Sequence, residues 1–275
     1  MTGPDRPDPL ATISAVRTAV LEHDGHDPLD EAAALALKHH GTEGAAVAVA
    51  EDGFALVRGG ELTLAVAPQA RRRGLARRLL AEVGPAWRAW SHGDHPGAAA
   101  LAATTGWRRT RDLWVMRRPT SLPLPALVVP DGVTVRGYDG EAEQVLAVNA
   151  AAFAHHPEQG SLDATGLAER MAEPWWDPAG LLLAVDDDTG DVLAFHWTKR
   201  HDADLGEVYV VAVDPAAQGR GLGRVVTLAG LHHLADAGVA EVLLYVESDN
   251  TAAVRLYSSL GFAHAARDTH VQYSR

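Results

Sequence analysis

The chain has 275 residues, 47% of them apolar and 22% charged, a globular composition with room for two domains. It has no cysteine, which excludes disulfides, thiolate metal sites and a cysteine nucleophile and fits a cytoplasmic location. A formal net charge of −12 argues against nucleic acid as a partner; no membrane is expected either, because no run approaches the ~20 apolar residues of a spanning helix.

The polar, proline-rich start over residues 1–9 carries no secretory pattern. The first strongly patterned element is an apolar strand from Leu62, which turns at Pro68, passes Arg71-Arg72-Arg73-Gly74-Leu75-Ala76 and enters a helix. A short helix follows His95 and ends at Gly106, with Trp107 opening the next strand. Pro119, Pro123, Pro125 and Pro130 then crowd residues 119–131, which read as a stiff linker. Beyond it, Val133 to Tyr138 reads as a strand, and Glu141 to Ala154 and Asp163 to Ala172 as helices. Gly180 to Val185 and Val192 to Trp197 read as strands around a hairpin at Asp188-Thr189-Gly190. Gly206 to Val213 is a buried strand, Gly221 to Ala237 a helix, Glu241 to Val246 a strand and Asn250 to Leu260 a helix, with Phe262 to Tyr273 closing the sheet.

The chain repeats itself. Pro68 falls on Pro215, Arg73-Gly74-Leu75 on Arg220-Gly221-Leu222, and Arg77 on Arg224; downstream, His95 to Trp107 falls on Asn250 to Phe262. Two ordered matches in register imply two copies of one mixed α/β domain.

Gln218-Gly219-Arg220-Gly221-Leu222-Gly223 links a strand to a helix, so its amides and the helix dipole can surround an anion that Arg220 and Arg224 neutralise. A P-loop would need a Gly-Lys-Ser/Thr ending and a dinucleotide fingerprint a G-x-G-x-x-G; neither is present. The stretch, and Arg71 to Ala76 with it, resembles the Gln/Arg-x-x-Gly-x-Gly/Ala motif of the GNAT superfamily of N-acetyltransferases. The fold that this implies is α/β, with two tandem GNAT-like domains, each a mixed, mostly antiparallel sheet flanked by helices. Residues 1–118 would form a non-catalytic domain able to bind acetyl-CoA, and residues 132–275 the catalytic one.

The resemblance implies that Gln218, Gly219, Arg220, Gly221, Leu222, Gly223 and Arg224 grip the pyrophosphate of acetyl-CoA. The backbone of Val211, Ala212 and Val213 would lie along the pantetheine arm, with Asn250, Ala253, Val254 and Arg255 on its other side. In the first copy the same positions are Leu64, Ala65 and Val66, then Arg71, Arg72, Arg73, Gly74, Leu75 and Ala76.

Acyl transfer to an amine needs a base, an oxyanion donor and an acid for the departing thiolate. Alternation along the strand puts Glu207, Tyr209 and Val211 on one face unless a bulge intervenes, with Glu207 as base through a water. Tyr257 sits where the superfamily often carries a tyrosine acid, and a backbone amide near Val211 would face the oxyanion. Alignment on the prolines sets Gly60 opposite Glu207, and alignment on Gly106 and Gly261 sets Ala102 opposite Tyr257, so the first copy reads as lacking both groups. Glu61 is one residue off.

Phe153-Ala-His-His-Pro-Glu-Gln-Gly160, Phe195-His-Trp-Thr-Lys199, Gly206-Glu-Val-Tyr-Val-Val and Tyr245-Val-Glu-Ser-Asp-Asn250 together resemble the mycothiol synthase family. That resemblance implies acetylation of the cysteinyl amine of cysteinyl-glucosaminyl-inositol, the last step of mycothiol biosynthesis, with substrate contacts from Glu31, Glu158, Lys199, Glu207 and Tyr245. The expected partner is a small-molecule amine and the chain is expected to act as a monomer. No metal is expected: adjacent pairs such as His155-His156 and His232-His233 cannot both face one ion from a regular element. His155 and His196 are candidates to line a sugar pocket. Two alternatives stay open, an N-acetyltransferase for another small amine or peptide, and a non-catalytic acetyl-CoA sensor.

Overall fold

The computed structural model describes residues 7–154, 160 and 162–275. The chain forms two compact units, Met1–Trp114 with Ala265–Arg275, and Val115–His264. This differs from the contiguous ranges 1–118 and 132–275 read from the sequence. Val115 to Pro119 packs with the second unit, and the last eleven residues pack with the first. The proline-rich stretch from Leu122 to Pro130 has no regular structure.

The first unit contains α1 (Pro9–Asp24), α2 (Glu31–His40), β1 (Ala46–Ala50), β2 (Gly53–Arg58), β3 (Glu61–Val66), α3 (Leu75–Glu82), β4 (Arg88–Ser91), α4 (Pro96–Thr105) and the start of β5 (Arg108–Pro119). It is completed by the end of β11 (Ala263–Ser274), whose Val271 to Ser274 pair antiparallel with Ser91 to Arg88. β1, β2 and β3 are antiparallel, and β3 and β4 parallel. Helix α1 starts where Asp8 accepts from the Leu10 amide with Pro9 in its first turn, and ends at Gly25, which takes a left-handed φ of 76°. Ile13, Val16 and Val20, spaced for one helix face, pack on Phe54, Leu56 and Ala65. The other sheet face, with Ala55, Val57, Leu62 and Val66, is covered by Leu79, Leu80 and Ala102.

The second unit repeats this plan with β6 (Val133–Gly137), α5 (Ala142–Ala152), α6 (Ala164–Met171), β7 (Leu181–Asp186), β8 (Val192–Arg200), β9 (Leu205–Val213), α7 (Leu222–Asp236), β10 (Glu241–Glu247) and α8 (Thr251–Ser259). Strands β6 to β9 are antiparallel and β9 pairs parallel with β10. Each unit is therefore a mixed, mostly antiparallel sheet between helices, as the GNAT resemblance implies. Val145, Val148 and Leu167 cover Leu183, Phe195, Trp197, Val210 and Ala212. Leu222 and Val226 of α7 cover Ala184 and Ala194 on the opposite face, with Val211 and Val213 partly buried beside them.

The two strand-to-helix loops share a backbone shape despite their different residues. Gly219 and Gly221 have φ of 82° and 78°, and their counterparts Arg72 and Gly74 have 64° and 81°. Arg72 thus holds a left-handed conformation that costs an L-residue about 1–2 kcal/mol, partly offset in glycine by its greater unfolded freedom. Arg72→Gly is expected to stabilise the chain by about 0.5–1 kcal/mol in denaturant unfolding. A loss of stability would mean that the Arg72 side chain holds the loop.

Candidate active site

Strand β9 runs into a turn at Pro215, where Asp214 accepts from the Ala216 amide at 2.7 Å, and then into Gln218 to Gly223. Gly221 is the N-cap residue of α7, and no side chain among the described residues caps it. The first amides of a fifteen-residue helix therefore face outward from a turn that is exposed from Gln218 to Gly221. A Cβ on Gly219 or Gly221 would meet nothing within 4 Å, so the space beside the turn is open. Leu222 is 1% exposed and belongs to the core, so it can offer a ligand only its amide. Arg220 lies 4.0 Å from Asp186, and Arg224 donates to Ser259 Oγ at 3.1 Å. Asn250 caps α8 by accepting from the Ala253 amide at 3.1 Å, which gives both a structural task. Val254 is half-buried and Arg255 exposed on the same helix.

Glu207 sits near the start of β9, 5% exposed, and its Oε2 lies 2.6 Å from Nε2 of His201. The β8–β9 register fixes its surroundings. Trp197 faces Val210 but Thr198 faces Val208, so Tyr209 is an extra, bulged residue. Beyond the bulge Lys199 lies directly opposite Glu207. The bulge corrects the simple alternation. Tyr209 packs on the α5–α6 side with Trp175 and Trp197, ring centroids 5.2 and 5.4 Å away, whereas Val211 packs on the α7 side. The Lys199 ammonium stands 4.9 Å from the Trp175 ring centroid and 5.3 Å from that of Tyr209, and Arg170 Nε donates to the Tyr209 hydroxyl at 2.8 Å.

Tyr257 lies on α8 with its ring 5.9 Å from that of Phe262, and burial pushes its phenol up to about 12. Tyr245 is 44% exposed on β10. Glu158 and His155 lie outside the described residues, and Glu31 opens α2 in the other compact unit. His196 does not line a pocket. Its ring is fully buried between β8 and α7, its Nδ1 lies 3.0 Å from the Val226 carbonyl, and it fills the space that the absent side chain of Gly230 leaves. No group of three or more metal-ligating side chains is found among the described residues, and none of their helices is long and apolar enough to cross a membrane. Sequence reasoning missed His201, Arg170 and Trp175. For His201 a clue existed, since the short connection from Arg200 to Leu205 folds it back beside Glu207.

The first copy corrects the alignment on the prolines. Phe54 faces Ala65 and Arg58 faces Glu61, just as Phe195 faces Ala212 and Lys199 faces Glu207. Because β3 has no bulge, Glu61 and not Gly60 is the counterpart of Glu207. Its setting differs. Glu61 accepts from Arg88 Nε at 2.8 Å and shares hydrogen bonding with Asp30, and burial together with that neighbouring carboxylate pushes it up to about 7. Ala102, which the alignment on Gly106 and Gly261 sets opposite Tyr257, is buried on α4. Arg71 is committed within its unit, donating to the Val66 carbonyl at 3.0 Å and to both carboxylate oxygens of Asp24 at 2.8 and 2.5 Å. Arg72 and Arg73 are exposed, and Leu75 and Ala76 partly buried.

Residues 151–262 match the Acetyltransferase (GNAT) family. A mycothiol acetyltransferase from a Nocardioides species is 59% identical, over 98% of this chain and 98% of its own length. Another from Gordonia bronchialis is 47% identical over 100% of this chain and 97% of that one. Among solved structures, a tandem GNAT protein from the clavulanic acid biosynthesis pathway superposes with a TM-score of 0.69 at 17% identity, covering 97% of this chain and 94% of that chain, a likeness of fold.

Two buried histidines and the half-buried Glu61 make opposing pH predictions. Burial lowers His196 to about 4 and His270 to about 3, from a reference of 6.5. Both are neutral in the fold, so stability falls as pH drops through 6.5 and the unfolded chain takes up their protons. Glu61, raised to about 7 from 4.5, has the opposite sign, since the folded state binds its proton first. From pH 7 to pH 4 the histidines lose roughly 3 kcal/mol each and Glu61 returns a similar amount. Two losses against one gain give falling stability from pH 7 to pH 4 in unfolding titrations, and Asp24 and Glu141, held low by Arg71 and Arg136, add to the fall. Glu61→Gln should steepen it. An unchanged slope in that variant would contradict the raised carboxyl.

Proposed function

The chain belongs to the mycothiol acetyltransferase family, and from that premise we propose that its second unit moves the acetyl group of acetyl-CoA to the cysteinyl amine of cysteinyl-glucosaminyl-inositol, the last step of mycothiol biosynthesis. The observation that carries this reading is a buried carboxylate, Glu207, on the strand that runs into an uncapped glycine turn at a helix N-terminus.

The turn suits a pyrophosphate. Its amides and the α7 dipole attract negative charge, the open space over Gly219 and Gly221 lets phosphate oxygens approach, and Arg220 and Arg224 add positive charge at its edge. The backbone of Val211 to Val213 then lies along the acyl-carrying arm, where an amide at this level can donate to the developing oxyanion. Glu207 removes a proton from the ammonium through a water. An α-amine has a reference pKa of about 8, so a weak base is sufficient. The amine nitrogen bonds to the thioester carbon, the carbon–sulfur bond breaks, and Tyr257 gives the thiolate its proton. A phenol held at about 12 is protonated throughout the neutral range, as this acid requires. Lys199, steadied over Trp175 and Tyr209, can donate to a sugar hydroxyl or carbonyl oxygen.

Coenzyme A release tests the reading, with cysteinyl-glucosaminyl-inositol beside cysteine, glucosamine and an aminoglycoside. The first should be strongly preferred; equal turnover of plain glucosamine or the aminoglycoside would assign another amine acetyltransferase. Tight acetyl-CoA binding without turnover of any amine would favour the sensor. Glu207→Gln should lower kcat at neutral pH by about 100-fold or more while leaving acetyl-CoA affinity unchanged.

Tyr257→Phe should slow transfer, and the ratio of wild-type to variant rate should stay constant from about pH 7 to pH 10, because the phenol ionises only as pH rises through about 12. A ratio that collapses inside that range would reassign the acid.

A further inference from the structure

A buried carboxylate keeps its charge cheaply only when hydrogen bonds replace lost water. Glu207 is 5% exposed, and the partner that the fold sets against it is His201, 2.6 Å from Nε2 to Oε2. We infer that His201 is a positioning residue for the acetyl transfer, its Nε2–H donating to Oε2 of Glu207 and leaving the other carboxylate oxygen to take the amine's proton.

Three observations carry this inference, which rests on the role proposed above for Glu207. First, the backbone that carries the ring is held. The His201 amide donates to the Leu205 carbonyl at 2.9 Å, and Asp202 Oδ1 accepts from the Asp204 and Leu205 amides at 2.8 Å each, so the connection is locked while the His201 side chain stays 33% exposed. Second, the cation directly across the ladder is drawn toward aromatic rings, with the Lys199 ammonium over Trp175 and Tyr209. Third, the repeat supplies an internal control. Glu61 occupies the equivalent ladder position, but its neighbours are a second carboxylate, Asp30, and Arg88 in place of an imidazole. Two copies with one carboxylate geometry therefore differ in the group that orients it.

In the step so served, the amine nitrogen forms its bond to the thioester carbon as the carbon–sulfur bond breaks. One of the two ammonium protons lost leaves through Glu207 to solvent, and the thiolate sulfur acquires one from Tyr257, which the second ammonium proton restores.

The test compares His201→Ala, His201→Gln and the double variant His201→Ala/Glu207→Gln in the full chain, with coenzyme A release as the readout. Gln keeps an N–H donor where His201 has Nε2–H. His201→Ala is expected to lower kcat about 10- to 100-fold with the KM for acetyl-CoA unchanged, His201→Gln to recover most of that loss, and the double variant to be no slower than Glu207→Gln alone. A structural role alone would lower Tm, leave kcat within about twofold and add its loss to that of Glu207→Gln. A His201→Ala kcat equal to wild type, or a His201→Gln rate as low as that of His201→Ala, would overturn the inference. Wild-type chain that turned over no amine, or Glu207→Gln at full speed, would instead overturn the proposed role of Glu207, a different and separately visible failure.

Discussion

One extra residue in β9 governs the arrangement of the second unit's site. Without Tyr209 as a bulge, strict alternation would put Glu207 and Val211 on one sheet face. With it, Glu207 lies opposite Lys199 on the α5–α6 side, while Val211 packs toward α7. Glu207 and Val211 are thus turned to opposite faces of a single strand by one slip in register. The slip also turns the Tyr209 ring toward Trp175 and Trp197, building an aromatic floor under the Lys199 ammonium. A bulge exposes local backbone and strengthens twist, which is why such irregularities recur beside sites.

The two copies separate what the frame demands from what the chemistry demands. Both loops hold the same left-handed pair of positions, although one uses arginine where the other uses glycine. Both ladders set a carboxylate opposite a basic residue. What differs is the immediate company. His201 stands at Glu207, whereas Asp30 and Arg88 stand at Glu61. Arg71 is tied to Asp24 and to the Val66 carbonyl, while its counterpart Gln218 is exposed on an open turn. The frame has been kept and the polar groups around it reassigned.

Much of the second unit is legible in the sequence because its elements are long and regularly patterned. The helix from Gly221, the strand ending at Val213 and the capped helix from Asn250 are found within a residue or two of where pattern and caps put them. The first copy's opening elements, α1, α2, β1 and β2, are not legible in that way. Their alanine-rich stretches carry little contrast between faces, and packing on Phe54 and Leu56 decides them. His196 misleads for a related reason. A histidine between apolar neighbours reads as a pocket residue, but the glycine that makes room for its ring, Gly230, lies thirty-four residues away on another element.

By itself the sequence determined the duplication, the mixed α/β class and the anion-suited glycine turn, because each is written in short-range spacing. Only the tertiary structure decided which residue of the first copy matches Glu207, which face Val211 takes, which strand completes each unit and which imidazole meets Glu207. Those are matters of register and of contacts across strands. A one-residue slip reverses a side chain's face while leaving composition and periodicity almost untouched.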